Sequence, residues 1–179
     1  MGTLMQALRR ALSCVLGLAA LGASAAEPLE YAVKAAYIVK FPFYVEWPPS
    51  AFSGPNAPLA LCVVGEDPFG RLLDEAAAGQ EVQGHPLVVR RMKSLGGDSN
   101  CHVVYLGADV RADARVAAAR SSSALVVTDA PNNGGMINFV VRDNRVRFTV
   151  DDEAAAQSGL SISSKLLNVA LAVKSRKTR

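Results

Sequence analysis

Carboxylates, amides and glycines gather at two places where a loop follows an apolar run of strand length. Glu66 and Asp67 follow Leu59 to Val64, and Asp129 follows Ala124 to Thr128, near Asn132, Asn133, Gly134 and Gly135. Side-chain oxygens beside flexible backbone can hold a small polar ligand or a metal ion. In an open parallel sheet such ligands sit beyond the carboxyl ends of the strands. Asp67, Asp129, Gly134 and Gly135 are therefore the candidate ligand loops. Asp and Asn are also ordinary turn residues, and no carboxylate pair here has a spacing that fixes both on one face of an element.

Other chemistry is thinly represented. Cys101 and His102 are adjacent, so on a strand they point to opposite faces and cannot form a nucleophile and base. The two histidines, His85 and His102, show no metal-ligand spacing. A dithiol oxidoreductase would want C-x-x-C, which lowers one thiol's pKa, and the motif is absent. Neither the G-x-G-x-x-G nor the Walker fingerprint occurs. The expectation is a protein that is not an enzyme, with no catalytic residue, no metal and no cofactor.

The N-terminus carries an address. Arg9 and Arg10 precede an apolar run from Ala11 to Leu21, and Ala23-Ser24-Ala25 is a small-x-small cleavage site, so residues 1–25 read as a signal peptide cleaved near Ala25. The run is too short to span a bilayer, and no later one reaches about 18 apolar residues, so no membrane insertion is expected after the signal is removed. Residues 26–179 are then one domain, about 154 residues long, enough for a sizeable core. Losing Arg9 and Arg10 leaves 17 basic against 16 acidic residues, a balance with no nucleic-acid footprint. Residues 174–179, with Lys174, Arg176, Lys177 and Arg179, read as a flexible basic tail that a membrane or an acidic partner could attract. The mature chain keeps Cys62 and Cys101. An even count in an exported chain invites a disulfide, with two free buried thiols as the alternative.

Hydropathy patterning supplies the elements. Leu29 to Phe41 reads as a helix with Val33, Tyr37 and Phe41 on its stripe and Lys34 and Lys40 largely off it, ended by Pro42. Five aromatics between Tyr37 and Trp47 either cap one end of the core or line a pocket. Leu59 to Val64 is a strand buried on both faces, followed by Asp67 as N-cap and a helix from Pro68 to near Gly79. His85 to Arg91, His102 to Leu106 and Ala124 to Thr128 are further strands, with an alanine-rich helix from Val110 to Arg120. Strands alternating with helices predict an α/β fold: one three-layer domain, a mostly parallel sheet with helices on both faces. A bond between Cys62 and Cys101 would require the first of these strands to lie beside the third.

The stretch Gly134 to Ala170 is the densest in structural signals. A two-residue turn at Asp143-Asn144 would pair Val141 with Val146, Phe139 with Phe148 and Ile137 with Val150 as one apolar face. Asn138, Arg142, Arg145, Arg147 and Thr149 take the other face. This hairpin is expected as an antiparallel C-terminal edge. After it, Ile162, Leu166, Val169, Ala170 and Val173 recur at helical spacing, predicting an amphipathic helix capped by Ser161 or Ser163 that packs on the sheet. Arg145, Arg147 and the helix residues Ile162 and Leu166 are the candidate partner-binding surface, for a protein partner or a second copy forming a homodimer.

With these residues in view, the sequence resembles the YfiR-like family of exported bacterial proteins. The likeness runs through YAVKAAYIVKFPFYVEWP, LCVVGEDPFG, the cysteine before HVVYL, LVVTD, GGMINFV, RVRFTV and GLSISSKLLNVA in that order. It implies a periplasmic α/β regulator that binds the periplasmic sensor part of a membrane-bound diguanylate cyclase and represses cyclic di-GMP synthesis and biofilm formation. It also implies that Cys62 and Cys101 form the family's shared bond. A second disulfide known in the family has no counterpart here, and Asp151 stands where the family commonly has asparagine.

Overall fold

The computed structural model describes residues 26–95, 99–107, 123–129 and 134–177. The expected signal peptide, the Val110 to Arg120 helix, Asn132 and Asn133 lie outside them. Two compact units result, Met1–Glu30 and Tyr31–Arg179. Of the first, only the start of helix α1 (Ala26–Lys40) is described.

Within the second unit, the continuous apolar runs become the centre of one mixed sheet. Strands β2 (Leu59–Val64), β5 (Val103–Leu106) and β6 (Leu125–Thr128) are buried at every residue, as almost continuously apolar runs covered on both faces must be. β4 (His85–Met92) flanks β2 in parallel, and β3 (Glu81–Val82) pairs antiparallel with β4. On the other side come β7 (Ile137–Arg142), β8 (Arg145–Asp151) and β10 (Ala172–Lys174). The eight-strand order is β10-β8-β7-β6-β5-β2-β4-β3. The fold is thus α/β, mostly parallel, with an antiparallel hairpin towards its C-terminal edge.

That hairpin has the expected register: Val141 opposes Val146, Phe139 opposes Phe148, and Ile137 opposes Val150. Asp143 and Asn144 at φ 51° and 54° make the left-handed turn that matches strand twist. The register then aligns Tyr105, Val127, Ile137 and Val150 across four strands. Helix α1 packs on this face. Tyr37 meets the rings of Phe139 and Phe148 at 6.3 and 5.5 Å, and Phe69, touching both Tyr31 and Tyr105, extends the layer. Helix α2 (Arg71–Ala77) buries Leu73 and Ala77.

Several expectations are corrected. Helix α2 begins at Arg71 rather than Pro68. Asp67 Oδ1 accepts the amides of Phe69 and Gly70 in a local turn, and Gly70 at φ 50° breaks the backbone there. The stripe on α1 is also rotated. Ala35, Ile38 and Val39 enter the core with a buried Lys34, while Val33 stays part-exposed.

The largest correction is C-terminal. No helix spans Ile162 to Val173. Ser161–Ile162 form β9, antiparallel to β1 (Val45–Glu46), with Ile162 opposite Val45. Helix α4 (Ser164–Leu167) lasts about one turn, with the Ser163 hydroxyl accepting the Lys165 amide as its cap. Beyond it the chain extends: the Leu171 amide bonds the Phe148 carbonyl, and β10 runs parallel to β8 from Thr149 to Asp151. An unpaired strand edge offers ladder hydrogen bonds that an isolated helical turn cannot match. The hairpin is therefore not the sheet's outermost element. Lys174 and Arg176 are not loose either. Lys174 reaches Asp151 and Glu153 at 3.1 Å, and Arg176 Nε reaches Asp152 at 2.8 Å. Helix α3 (Asp152–Gln157), capped by Asp151, supplies two of these acids.

Candidate functional site

The two strand-end carboxylates have internal partners. Lys34 Nζ donates to both oxygens of Asp129 at 2.7 and 2.8 Å, and the Tyr105 hydroxyl donates to Asp129 at 3.2 Å. Both members of the pair are largely buried. Buried opposite charges need this kind of mutual satisfaction. Asp67, besides its turn, accepts Arg91 Nε at 2.7 Å, while the other end of the same guanidinium holds Asp74 at 2.9 Å. These two carboxylates hold the Arg91 guanidinium more firmly protonated than usual, and its hydrogen bonds pull Asp74 below its ordinary value. Arg91 thus ties β4 to the loop before α2.

The glycine pair has a packing reason. Gly134 takes φ 71°, and a Cβ on Gly135 would fall 2.7 Å from the Thr128 methyl and 2.9 Å from Asn138 Oδ1. Thr128 and Asn138 are hydrogen-bonded at 2.7 Å, and Asn138 Nδ2 donates to the Gly135 carbonyl. Small residues let these strands approach. Asp67, Asp129 and Gly135 therefore act as parts of the scaffold.

Cys62 and Cys101 form a disulfide, with β2 beside β5 as that bond requires. Next to it, His102 Nδ1 accepts the Ala60 amide at 3.1 Å and Nε2 faces the Ala51 carbonyl. Phe52 is stacked between the His85 and His102 rings at 3.7 and 4.5 Å. Burial pushes His102 below the ordinary histidine value. The imidazole therefore serves as a neutral structural acceptor. Among the described residues no group of three His, Cys, Asp or Glu side chains is placed to hold a metal. None of the described helices is long and apolar enough to cross a membrane.

One open concavity is mainly apolar. A groove of about 610 Å³ lies between α1, the Phe41–Tyr44 turn, β8 and α4. Tyr37, Phe41, Tyr44 and Phe148 give it aromatic walls, with Leu166 and Val169 opposite. Lys40 and Lys165, both exposed, also line it. Val33, Tyr44 and Val169 are 37%, 39% and 63% exposed. Chain order explains the site: Pro42 turns the chain after α1, and pairing of β1 with β9 brings α4 against that turn. The aromatics after Tyr37 divide accordingly, Phe41 and Trp47 buried while Tyr44 keeps one side free.

The four candidate partner residues separate. Leu166 lines the groove at 4% exposure, whereas Ile162 is held in the β1/β9 pair and packed in the core. Arg145 and Arg147 are exposed on the opposite face of the hairpin from Phe148. Sequence reasoning set Lys34 off the buried side and Val33 on it, and read Val169 as part of a helix packed on the sheet, whereas Lys34 is buried and Val33 and Val169 are exposed at the groove. For α1 the signal was the dense apolar run from Tyr31 to Val39, interrupted by Lys34 alone and more than one buried stripe consumes.

Fold and site define an α/β domain with a mostly parallel sheet and an apolar groove open on one side. The chain belongs to the YfiR/HmsC-like family, whose pattern matches residues 31–171. A search of curated proteins finds no match.

Proposed function

We propose that this protein is a periplasmic negative regulator, not an enzyme, that binds the periplasmic sensor part of an inner-membrane diguanylate cyclase and represses cyclic di-GMP synthesis. Family membership over residues 31–171 carries the reading. The export signal at residues 1–25 would deliver it, leaving residues 26–179 as the working domain. The groove supports the reading physically. Part-exposed Val33, Tyr44 and Val169 around an aromatic floor form the kind of concave apolar surface on which a partner gains most from excluding water.

Repression by binding requires the regulator to favour one state of the cyclase. A ligand shifts an equilibrium only by its difference in affinity for the two states. Leu166 on α4, Val169 in the turn just after it, and Tyr37 on α1 would contact the sensor part. Reduction of the Cys62–Cys101 bond, or capture by another protein, would release it. A second copy of the chain is the competing occupant of the groove.

The test is calorimetric titration of the mature protein against the isolated periplasmic domains of the membrane diguanylate cyclases of its own bacterium. Saturable binding to one of them is expected. Heat of binding to none of them, with the protein folded, would sink the proposal. The ligand-loop reading has no comparable support, because Asp67 and Asp129 already hold Arg91 and Lys34.

A further inference from the structure

Two basic clusters lie near the C-terminal half of the sheet, and they differ in how they are neutralised. Lys174, Arg176 and Lys177 all face acids of their own chain, at Asp151, Asp152 and Glu153. Arg142, Arg145 and Arg147 make no ion pair or side-chain hydrogen bond among the described residues. Arg142 stands directly opposite Arg145, with Arg147 two residues further along the same face. Like charges opposed on one sheet face are destabilising, so the fold itself gains nothing from this placement.

The three guanidiniums, Asp143 and Leu171 line a concavity of about 360 Å³. Aliphatic surface accompanies the charge: Leu171 is 41% exposed, and Val141, on the other face of the same hairpin tip, is 49% exposed. We propose that this concavity is a docking site for the phosphate of an anionic phospholipid headgroup, by which the hairpin tip rests on a membrane surface. Guanidinium is the side chain best matched to phosphate oxygens, which it meets in a two-pronged fork. A bilayer surface presents phosphate above hydrocarbon. Arginines beside exposed Leu171, with Val141 exposed on the opposite face of the same tip, present the complementary pair of surfaces. The inference does not depend on any cyclase, so it stands or falls separately from the regulator reading.

The test is co-sedimentation of the mature protein with vesicles of phosphatidylglycerol mixed with phosphatidylcholine, and with phosphatidylcholine alone. Binding is expected only to the anionic vesicles, weakening as salt is added. The triple variant Arg142→Ser/Arg145→Ser/Arg147→Ser should unfold at the wild-type temperature yet bind on the order of a hundredfold more weakly. The Lys174→Ser/Lys177→Ser variant should bind like wild type. Absence of vesicle binding would overturn the proposal. So would equal binding by the triple variant, or displacement by dilute free inorganic phosphate, which would mark a soluble-anion site. If the triple variant self-associates while vesicle binding is unchanged, the arginines guard an open strand edge and the proposal is wrong.

Discussion

The Lys34–Asp129 pair offers the sharpest test of how the sheet and α1 are joined. The Lys34 ammonium sits 2.7 and 2.8 Å from the two carboxylate oxygens, with side-chain exposures of 3% and 12% for the two residues. The Tyr31 ring lies 4.9 Å from the same ammonium. Lys34→Met keeps the aliphatic stem but leaves Asp129 charged, with the Tyr105 hydroxyl as its remaining side-chain donor. Removing one member of a buried pair costs about 3–5 kcal/mol, because the survivor is uncompensated. In a domain of this size each kcal/mol moves the melting point by about 2–4 °C, so a fall on the order of 10 °C is expected. Replacing both members, Lys34→Met with Asp129→Leu, removes the stranded charge and should recover most of that loss. Thermal and urea unfolding followed by circular dichroism measure both. A loss below about 1 kcal/mol for Lys34→Met, the value of a solvated surface pair, would refute the claim that this pair anchors α1 to the sheet.

Three further outcomes follow from the same geometry. Cys62 and Cys101 close a loop with a sequence separation of 39, so the double alanine variant should lose about 4 kcal/mol in the chain-entropy estimate; an unchanged urea midpoint with and without reductant would contradict this. His102 is neutral in the fold and its pKa is lowered by burial from the ordinary 6.5, so its contribution is complete above about pH 6.5 and is lost as pH falls through the lowered folded value. Wild-type stability should therefore drop between neutral and mildly acidic pH, and His102→Gln should flatten that drop; equal slopes would remove the assignment. Gly135→Ala should destabilise by about 1–3 kcal/mol through its clash with the Thr128 methyl, and Thr128→Ser should restore part of it. An alanine variant as stable as wild type would show that the contact gives way freely.

The hairpin was legible because its information is local: alternation fixes each face, and Asp143-Asn144 tolerates the left-handed turn. The parallel centre was legible because Leu59 to Val64 has no polar face to present to water. The C-terminal segment was not, because apolar spacing from Ile162 to Val173 fits a helix while the competing strand edge of β8 is invisible until the sheet is assembled. Asp67 and Asp129 looked available because their partners, Arg91 and Lys34, come from 24 and 95 residues away. Lys34 itself was misplaced by assuming that an amine must lie off the buried side. The groove joins residues from α1, β8 and α4, and no short window of sequence contains that conjunction.

The most direct measurement of the central claim is cellular cyclic di-GMP in a deletion strain complemented with either wild type or Val169→Glu. Val169 is 63% exposed and lines the groove, so a carboxylate there should leave the melting point unchanged while opposing an apolar partner. The deletion should raise the dinucleotide, wild type should lower it again, and the folded Val169→Glu protein, exported at equal level, should not. Full repression by Val169→Glu would contradict the groove as the contact surface, and no rise on deletion would contradict the repressor itself.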